Sequence, residues 1–444
     1  MTQPPSSCRG RREWALRAAA VVVVVAALAG CGSGGSSAGS GSGNLTVAVF
    51  NPFSGADASF GPEQMGGCVP AARLITAAGG ILGHKSISCL GVDSKGDPAD
   101  AVPAAGQLLA TTSNLVGVLG PSSDEATATV PLFNRQHMIV FGNTGQAVFD
   151  HSTYPYFWRN TPPDDANGLV LALWAHHAGY TRAAAVFGQD IGSAGQDPPA
   201  TKGFKHLGGT IVVDLKVALD QSSYRVEVEQ ILAAKPQVIF LEIDPQSSAT
   251  LLAELKQLHG SLIPVIGTDI TVEPPWQKAV LGAVGAGALK HVFAGTQPYS
   301  PATGPAWKAF NAELLKAGSQ VPNPSQWSAD PYSQAAYDSV NVMALAMLAA
   351  HSTAPAKYQG SIISITTPGS GKIVVHSFAS GKAALAAGKS IQYVGPTGPL
   401  AYDQWHNSPG AFEVTAYGPN GRLTQILHVF GAAQISALAT AIGH

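Results

Sequence analysis

Charge is scarce in this 444-residue chain: only 12% of its residues are Asp, Glu, Lys or Arg, and 25 basic residues nearly balance 27 acidic ones. A nucleic-acid partner would call for a basic stripe, and the sequence has none. Apolar runs are short as well. The run Ala18–Leu28 falls well below the roughly 20 residues that a bilayer-spanning helix needs, and no later segment approaches that length without a charge or a proline. An integral membrane protein is thereby excluded. Catalytic signatures are missing too, with no P-loop, no H-E-x-x-H and no C-x-x-C. The 13 histidines are scattered, and adjacent His176 and His177 point to different sides of a predicted helix, as surface or packing residues do. One G-x-S-x-G match, Gly35-Ser36-Ser37-Ala38-Gly39, lies in a Gly/Ser tract without a strand before it or a helix after it, so it is compositional. The chain therefore reads as a non-enzyme, with no cofactor and no metal expected.

Cysteine is nearly absent, and two of the four are in the first 31 residues. Arg9, Arg11, Arg12 and Arg17 lead into the apolar run and mark residues 1–30 as an export signal. Leu28-Ala29-Gly30-Cys31 resembles the lipobox of bacterial lipoproteins, which implies cleavage before Cys31 and acylation of its thiol. Arg11, Arg12 and Trp14 loosely resemble a twin-arginine export signal. The following tract, Gly32–Gly43, is a flexible coil by composition, so residues 31–43 read as a tether. Cys8 leaves with the signal and Cys31 is committed to lipid. Cys68 and Cys89 then remain, either as a disulfide formed in an oxidising compartment or as two separate buried thiols.

Beyond the tether the chain is too long for one core of usual size, and it alternates β-branched runs with Ala/Leu-rich helical stretches, the pattern of parallel sheets flanked by helices. Strands are predicted at Leu45–Phe50, Ser86–Val92, Leu115–Leu119 and Met138–Phe141, with helices at Pro62–Ala78, Pro98–Ala110 and Ser123–Gln136 between them. "FWRNTPP", 157–163, breaks the alternation and reads as a crossing into a second unit. A helix at Asp164–Ala178 opens that unit. Strands follow at Ala183–Phe187, Thr210–Lys216, Val238–Leu241, Ile263–Gly267 and His291–Gly295, with helices at Tyr224–Ala234 and Ser247–His259 and a long one at Tyr332–Ala350.

Five stretches in order carry a resemblance: "LTVAVFNPFSGADASFG", "AAGGILGHKSISCLGVDSKGDPADAV", "VLGPSSDEATATVPLF", "YSQAAYDSVNVMALAM" and "YVGPTGPLAYD". Together they resemble the type I periplasmic binding proteins of the branched-chain amino acid (leucine/isoleucine/valine-binding) group, across essentially the whole mature chain. The resemblance implies an α/β fold of two doubly wound parallel-sheet lobes joined by three crossing strands. Lobe 1 is expected from 45–160 with 298–395, and lobe 2 from 161–297 with 396–444. It also implies an extracytoplasmic solute-binding lipoprotein, a monomer anchored by lipid to the outer face of the bacterial cell membrane. Such a protein would hand a small amino acid, or a related carboxylate or amide, to an ABC permease and its ATPase. A lipid-anchored sensor of the same fold is the alternative. The segments 301–331 and 358–390 exceed a minimal two-lobe receptor and are the places to look for insertions.

In open parallel sheets ligands collect beyond the carboxyl ends of the strands. Ser122 and Ser123, where a strand becomes a helix, could bind a ligand carboxylate with their hydroxyls and free backbone N–H groups. Ser122-Ser123-Asp124-Glu125 equally satisfies a capping box. The resemblance favours binding, since it places this pair, Asn143 and Thr144 at carboxylate-holding positions. It also puts Asp269 opposite a ligand ammonium, with Asp244 as a second acidic candidate and Phe60 as an aromatic cover. Ile191 stands where the family commonly presents an aromatic side chain, which leaves the identity of the ligand open. Asp164 and Asp165 fall at a helix start, where they complement the dipole.

Overall fold

The computed structural model describes residues 43–443, apart from 56, 160, 409 and 419–421. The signal, Cys31 and the Gly/Ser tether up to residue 42 lie outside the described residues. Residues Gly41–His444 make one compact unit.

The first lobe is built on five parallel strands, β1 (Leu45–Asn51), β2 (Ile87–Asp93), β3 (Leu115–Ser122), β4 (Val140–Asn143) and β5 (Phe157–Arg159), in the order β2-β1-β3-β4-β5. Every residue of β1 and β3 is buried. A strand covered on both faces reads as a continuous apolar run rather than an alternating one, which is how "LTVAVF" reads. Helices α1 (Phe60–Ala77), α2 (Pro98–Thr111) and α3 (Ser123–Arg135) make the connections.

The second lobe opens with α4 (Asp164–His177) and carries β6 (Arg182–Gly188), β7 (Thr210–Val217), β8 (Val238–Glu242), β9 (Val265–Gly267) and β10 (Phe293–Pro298), all parallel. Its helices include α5 (Ile191–His206), α6 (Arg225–Ala234) and α7 (Pro245–His259). The chain then returns to the first lobe, where β11 (Ile373–Val375), β12 (Ile391–Gly395) and β13 (Gly398–Pro399) form a small sheet. Finally β14 (Phe412–Tyr417) and β15 (Leu423–Phe430) add an antiparallel pair to the second sheet, giving the order β15-β14-β10-β9-β8-β6-β7.

Three passages thus join the lobes. The first and third are bonded side by side, Arg159 N–H to the His406 carbonyl at 3.0 Å, and the second and third likewise, Tyr299 N–H to the Ala411 carbonyl at 2.7 Å. The third lies in the middle.

The segments 301–331 and 358–390 are not appended loops. Phe310, Leu314, Val321 and Trp327 from the first, with Ile362, Ile365 and Phe378 from the second, are buried in the same core as β1 and the long helix Pro331–Ala349. That helix packs against α1. At Gly67 a side chain would meet the Ser333 carbonyl oxygen at 2.1 Å, so only glycine permits the approach. Ser333 Oγ also donates to the Glu63 carbonyl at 2.8 Å, which fixes the first turns of the two helices together.

Cys68 and Cys89 form a disulfide between α1 and the edge strand β2, with Cα atoms 6.1 Å apart. Closing a loop with a sequence separation of 21 contributes about 3 kcal/mol on the chain-entropy account.

Candidate functional site

The loops and helix starts that follow β1, β3 and β4 face those that follow β6, β8 and β9, and a cavity of about 100 Å³ lies between them. Most side chains on it sit at a strand's carboxyl end or near the start of the next helix, where the topology brings chain ends of both sheets to one crevice; Thr161, Pro162, Phe412 and Tyr332 come from the crossings and the long helix.

From the first lobe come Phe60 and Glu63 on the first turn of α1, Ser122 and Ser123 between β3 and α3, and Asn143 at the end of β4. Ser122 is also the helix cap: its Oγ donates to Glu125 Oε2 at 2.8 Å, and its N–H to Oε1 at 3.2 Å. Ser94 Oγ holds the same carboxylate at 2.7 Å. The Ser122 hydroxyl proton is thereby committed, and Ser123 is left with the freer hydroxyl. Ser123 Oγ lies 3.1 Å from Thr144 Oγ1, so Thr144, itself fully buried, backs the wall rather than lining it.

Asp269, just beyond β9, is held from both lobes. Asn167 Nδ2 of α4 donates to its Oδ1 at 2.6 Å, and the Tyr332 hydroxyl of the first lobe donates to its Oδ2. Thr296 Oγ1 in turn holds Asn167 Oδ1 at 2.8 Å. Burial raises the pKa of Asp269, and the Tyr332 bond opposes that rise.

Two expected residues are placed elsewhere. Ile191 is 49% exposed and does not line the cavity, because it is the first residue of α5 and turns outward while its neighbours Asp190 and Gly192 turn in. Asp244 caps α7, accepting from the N–H groups of Gln246 and Ser247 at 2.9 and 3.1 Å, and is likewise outside the lining.

The walls also hold acids that their spacing did not single out. Asp57 and Asp124 come from the first lobe, and Asp190 and Glu242 from the second. Asp164 and Glu273 complete the set, which with Glu63 and Asp269 makes eight carboxyl groups. Among the described residues, no lysine, arginine or histidine lines the cavity. The nearby guanidinium of Arg159 is fully buried and taken up by Asn407, the Gln146 carbonyl and Asp150.

Crowding of like charge shows in their protonation. Burial, then the carboxylates of Asp124, Asp190, Glu125 and Asp244, push Asp57 up to about 7. Burial and the charges of Asp190 and Glu125 lift Asp124 to about 6, against the backbone N–H groups of Gly192 and Ile191 that point at it across the cleft. Glu63, Asp164, Glu242 and Glu273 are all raised well above the usual carboxylate range, chiefly by burial. Glu63, Glu273 and Asp330 bring one carboxylate oxygen each within 4.8 Å of one another.

A pH dependence follows. Asp57 keeps its proton up to about 7 in the folded chain but has an ordinary value of 3.8. The folded state therefore binds the extra proton between those values, so stability is greatest at the acid end and is lost as pH rises through 7. Raising pH from 5 to 8 without solute is expected to cost about 2 kcal/mol at this group, allowing for partial screening by solvent. Denaturant melts at the two pH values measure it; higher stability at pH 8 would refute the assignment.

Residues 44–359 match the family described as periplasmic binding protein. No curated protein matches the chain in sequence. Among solved structures, a leucine binding protein of Thermotoga maritima, LivK, aligns with a TM-score of 0.69 at 16% identity, over 87% of this chain and 99% of its own. The LivJ substrate binding protein of Streptococcus pneumoniae, in complex with isoleucine, aligns at 0.70 and 16% identity over 88% and 99%. A solute binding protein of Rhodopseudomonas palustris HaA2, in complex with p-hydroxybenzoic acid, aligns at 0.69 and 19% over 90% and 100%. At these identities the likeness is one of fold.

Proposed function

The chain belongs to the periplasmic binding protein family, and on that premise we propose that it is the extracytoplasmic solute receptor of an ABC importer, tethered to the membrane through acylated Cys31. A small polar solute carrying an amino group, such as an amino acid, enters between the lobes, which close on it and present the closed form to a permease. The observation that carries this is the cavity at the facing strand ends, to which both lobes contribute: Tyr332 of one lobe holds Asp269 of the other. Solved proteins of the same fold that hold isoleucine or p-hydroxybenzoic acid support a small-molecule role rather than an enzymatic one. The anchor fits the modular layout, since a tether raises the receptor's effective concentration at its permease.

Thermal melts test the proposal. Protein refolded to strip bound solute is screened against amino acids, amides, organic acids, amines and sugars. A true solute at a hundredfold its Kd adds about 2.7 kcal/mol, and the effect disappears in Ser123→Ala. In the same work Cys31→Ala should free the protein from membranes with its affinity intact. No response to any class would overturn the receptor function.

A further inference from the structure

The eight carboxyl groups on the cavity wall are an expensive arrangement unless something positive joins them, because each buried carboxylate without a counter-charge costs several kcal/mol. Glu63, Glu242 and Glu273 are 1%, 5% and 6% exposed, and each keeps one side-chain oxygen with no hydrogen-bond partner. Asp124, Asp164 and Asp190 each keep one such oxygen too.

The acids are spread over the wall rather than gathered at one point. Glu63, Glu273 and Asp330 bring one carboxylate oxygen each within 4.8 Å of one another. Asp269 precedes Glu273 on the same short segment and is held by Tyr332 from the other lobe. Asp124 and Asp190 stand at the starts of α3 and α5, which pack together, and outside that trio of oxygens. Phe60, Phe412, Pro162 and Ile270 supply apolar surface on the same wall.

We propose, building on the receptor function above, that the solute is an elongated organic cation: a linear amine with two or more protonated amino groups separated by methylenes, and without a carboxylate. The amino groups meet the separate acids, and the methylenes lie on the aromatic and proline surfaces, where a cation also gains from the ring faces. A zwitterionic amino acid would bring one more negative charge to a wall that offers it only neutral donors, the hydroxyls, side-chain amides and backbone N–H groups, and no cationic side chain. A single metal ion would satisfy Glu63, Glu273 and Asp330 and leave Asp124 and Asp190 unmatched.

Calorimetry and thermal melts of the refolded protein with spermidine, 1,4-diaminobutane, leucine, 4-hydroxybenzoate and calcium chloride decide the matter. Saturable binding of spermidine or diaminobutane is expected, with little response to the acids. Glu242→Gln and Glu273→Gln should each weaken amine binding at least tenfold while leaving the solute-free melting temperature equal or higher, because the amide is a neutral isostere of a carboxyl whose charged form burial already opposes. A carboxylate that merely supports the fold would lower that temperature instead, and such a result would count against the assignment. A response to leucine or 4-hydroxybenzoate and not to amines overturns the cation inference and leaves the receptor function standing. Binding of calcium alone overturns it in favour of a metal site, and silence toward every probe overturns the cation inference, while the wider solute screen decides the receptor function.

Discussion

Arg159→Leu is expected to destabilise the protein by about 3–5 kcal/mol, the range found when one partner of a buried ion pair is removed. Its guanidinium is 0% exposed, with Nε on Asn407 Oδ1 at 2.7 Å, one terminal nitrogen on the Gln146 carbonyl at 3.2 Å and the other on Asp150. Burial already raises the pKa of Asp150, and Arg159 is the principal influence holding it down. Without the arginine that half-buried carboxyl loses its counter-charge, and two further acceptors lose their donor. Lysine restores the charge but not the fork, so Arg159→Lys should recover only part of the loss. Gln146 also donates to the Ser123 carbonyl at 2.8 Å, so the damage reaches the cavity wall as weaker solute binding. Urea melts read the stability; a loss under about 1 kcal/mol would show that the pair is dispensable.

Asp269→Ala is expected to weaken solute binding by about 30- to 4,000-fold, the equivalent of about 2–5 kcal/mol for truncating one member of a buried charged pair. Two effects add here. The solute's amino group loses its carboxylate, and the closed form loses the bond from Tyr332, which ties the lobes together. Tyr332→Phe separates them, since it keeps the carboxylate and removes only the tie. Its expected loss is smaller, about 12- to 150-fold, the equivalent of about 1.5–3 kcal/mol for one hydrogen bond to a charged group. Titration calorimetry on both variants gives the comparison. Affinity within threefold of the parent in Asp269→Ala would remove Asp269 from the site.

The architecture was legible because fully buried parallel strands have a simple signature. β1, β3 and β8 read directly from "LTVAVF", "LVGVL" and "VIFL", and their helical partners followed from the alternation. Helix α5 was not legible, since "IGSAGQDPP" looks like a loop; its start is held by the Asp190 side chain accepting from Ser193 N–H at 2.8 Å, and its two prolines are accommodated inside it. The strand-end rule pointed to the crevice and to Ser123, and the family resemblance named Asn143, Phe60 and Asp269, which the structure places on the same wall. What it could not give was the sum of charges. Asp164 reads as a helix-start residue satisfying a dipole, and Glu63 as the first turn of a helix. Only the apposition of the lobes places them, with Glu242 and Glu273, on one wall. Ser122 was undecidable by spacing for a physical reason: one hydroxyl serves a cap and borders a cavity at once.

The side-by-side bonding of the three passages between the lobes sets how they can move. Bonds link Arg159 to His406 and Tyr299 to Ala411, so the straps form a single ribbon with the third passage at its centre. A ribbon flexes readily across its width but resists shear between its strips, because sliding would break every rung at once. The two halves therefore open as a book does on its spine. On the proposed receptor function, a solute would leave through the open fore-edge, and a face that reads the closed state would need to sense a single angle.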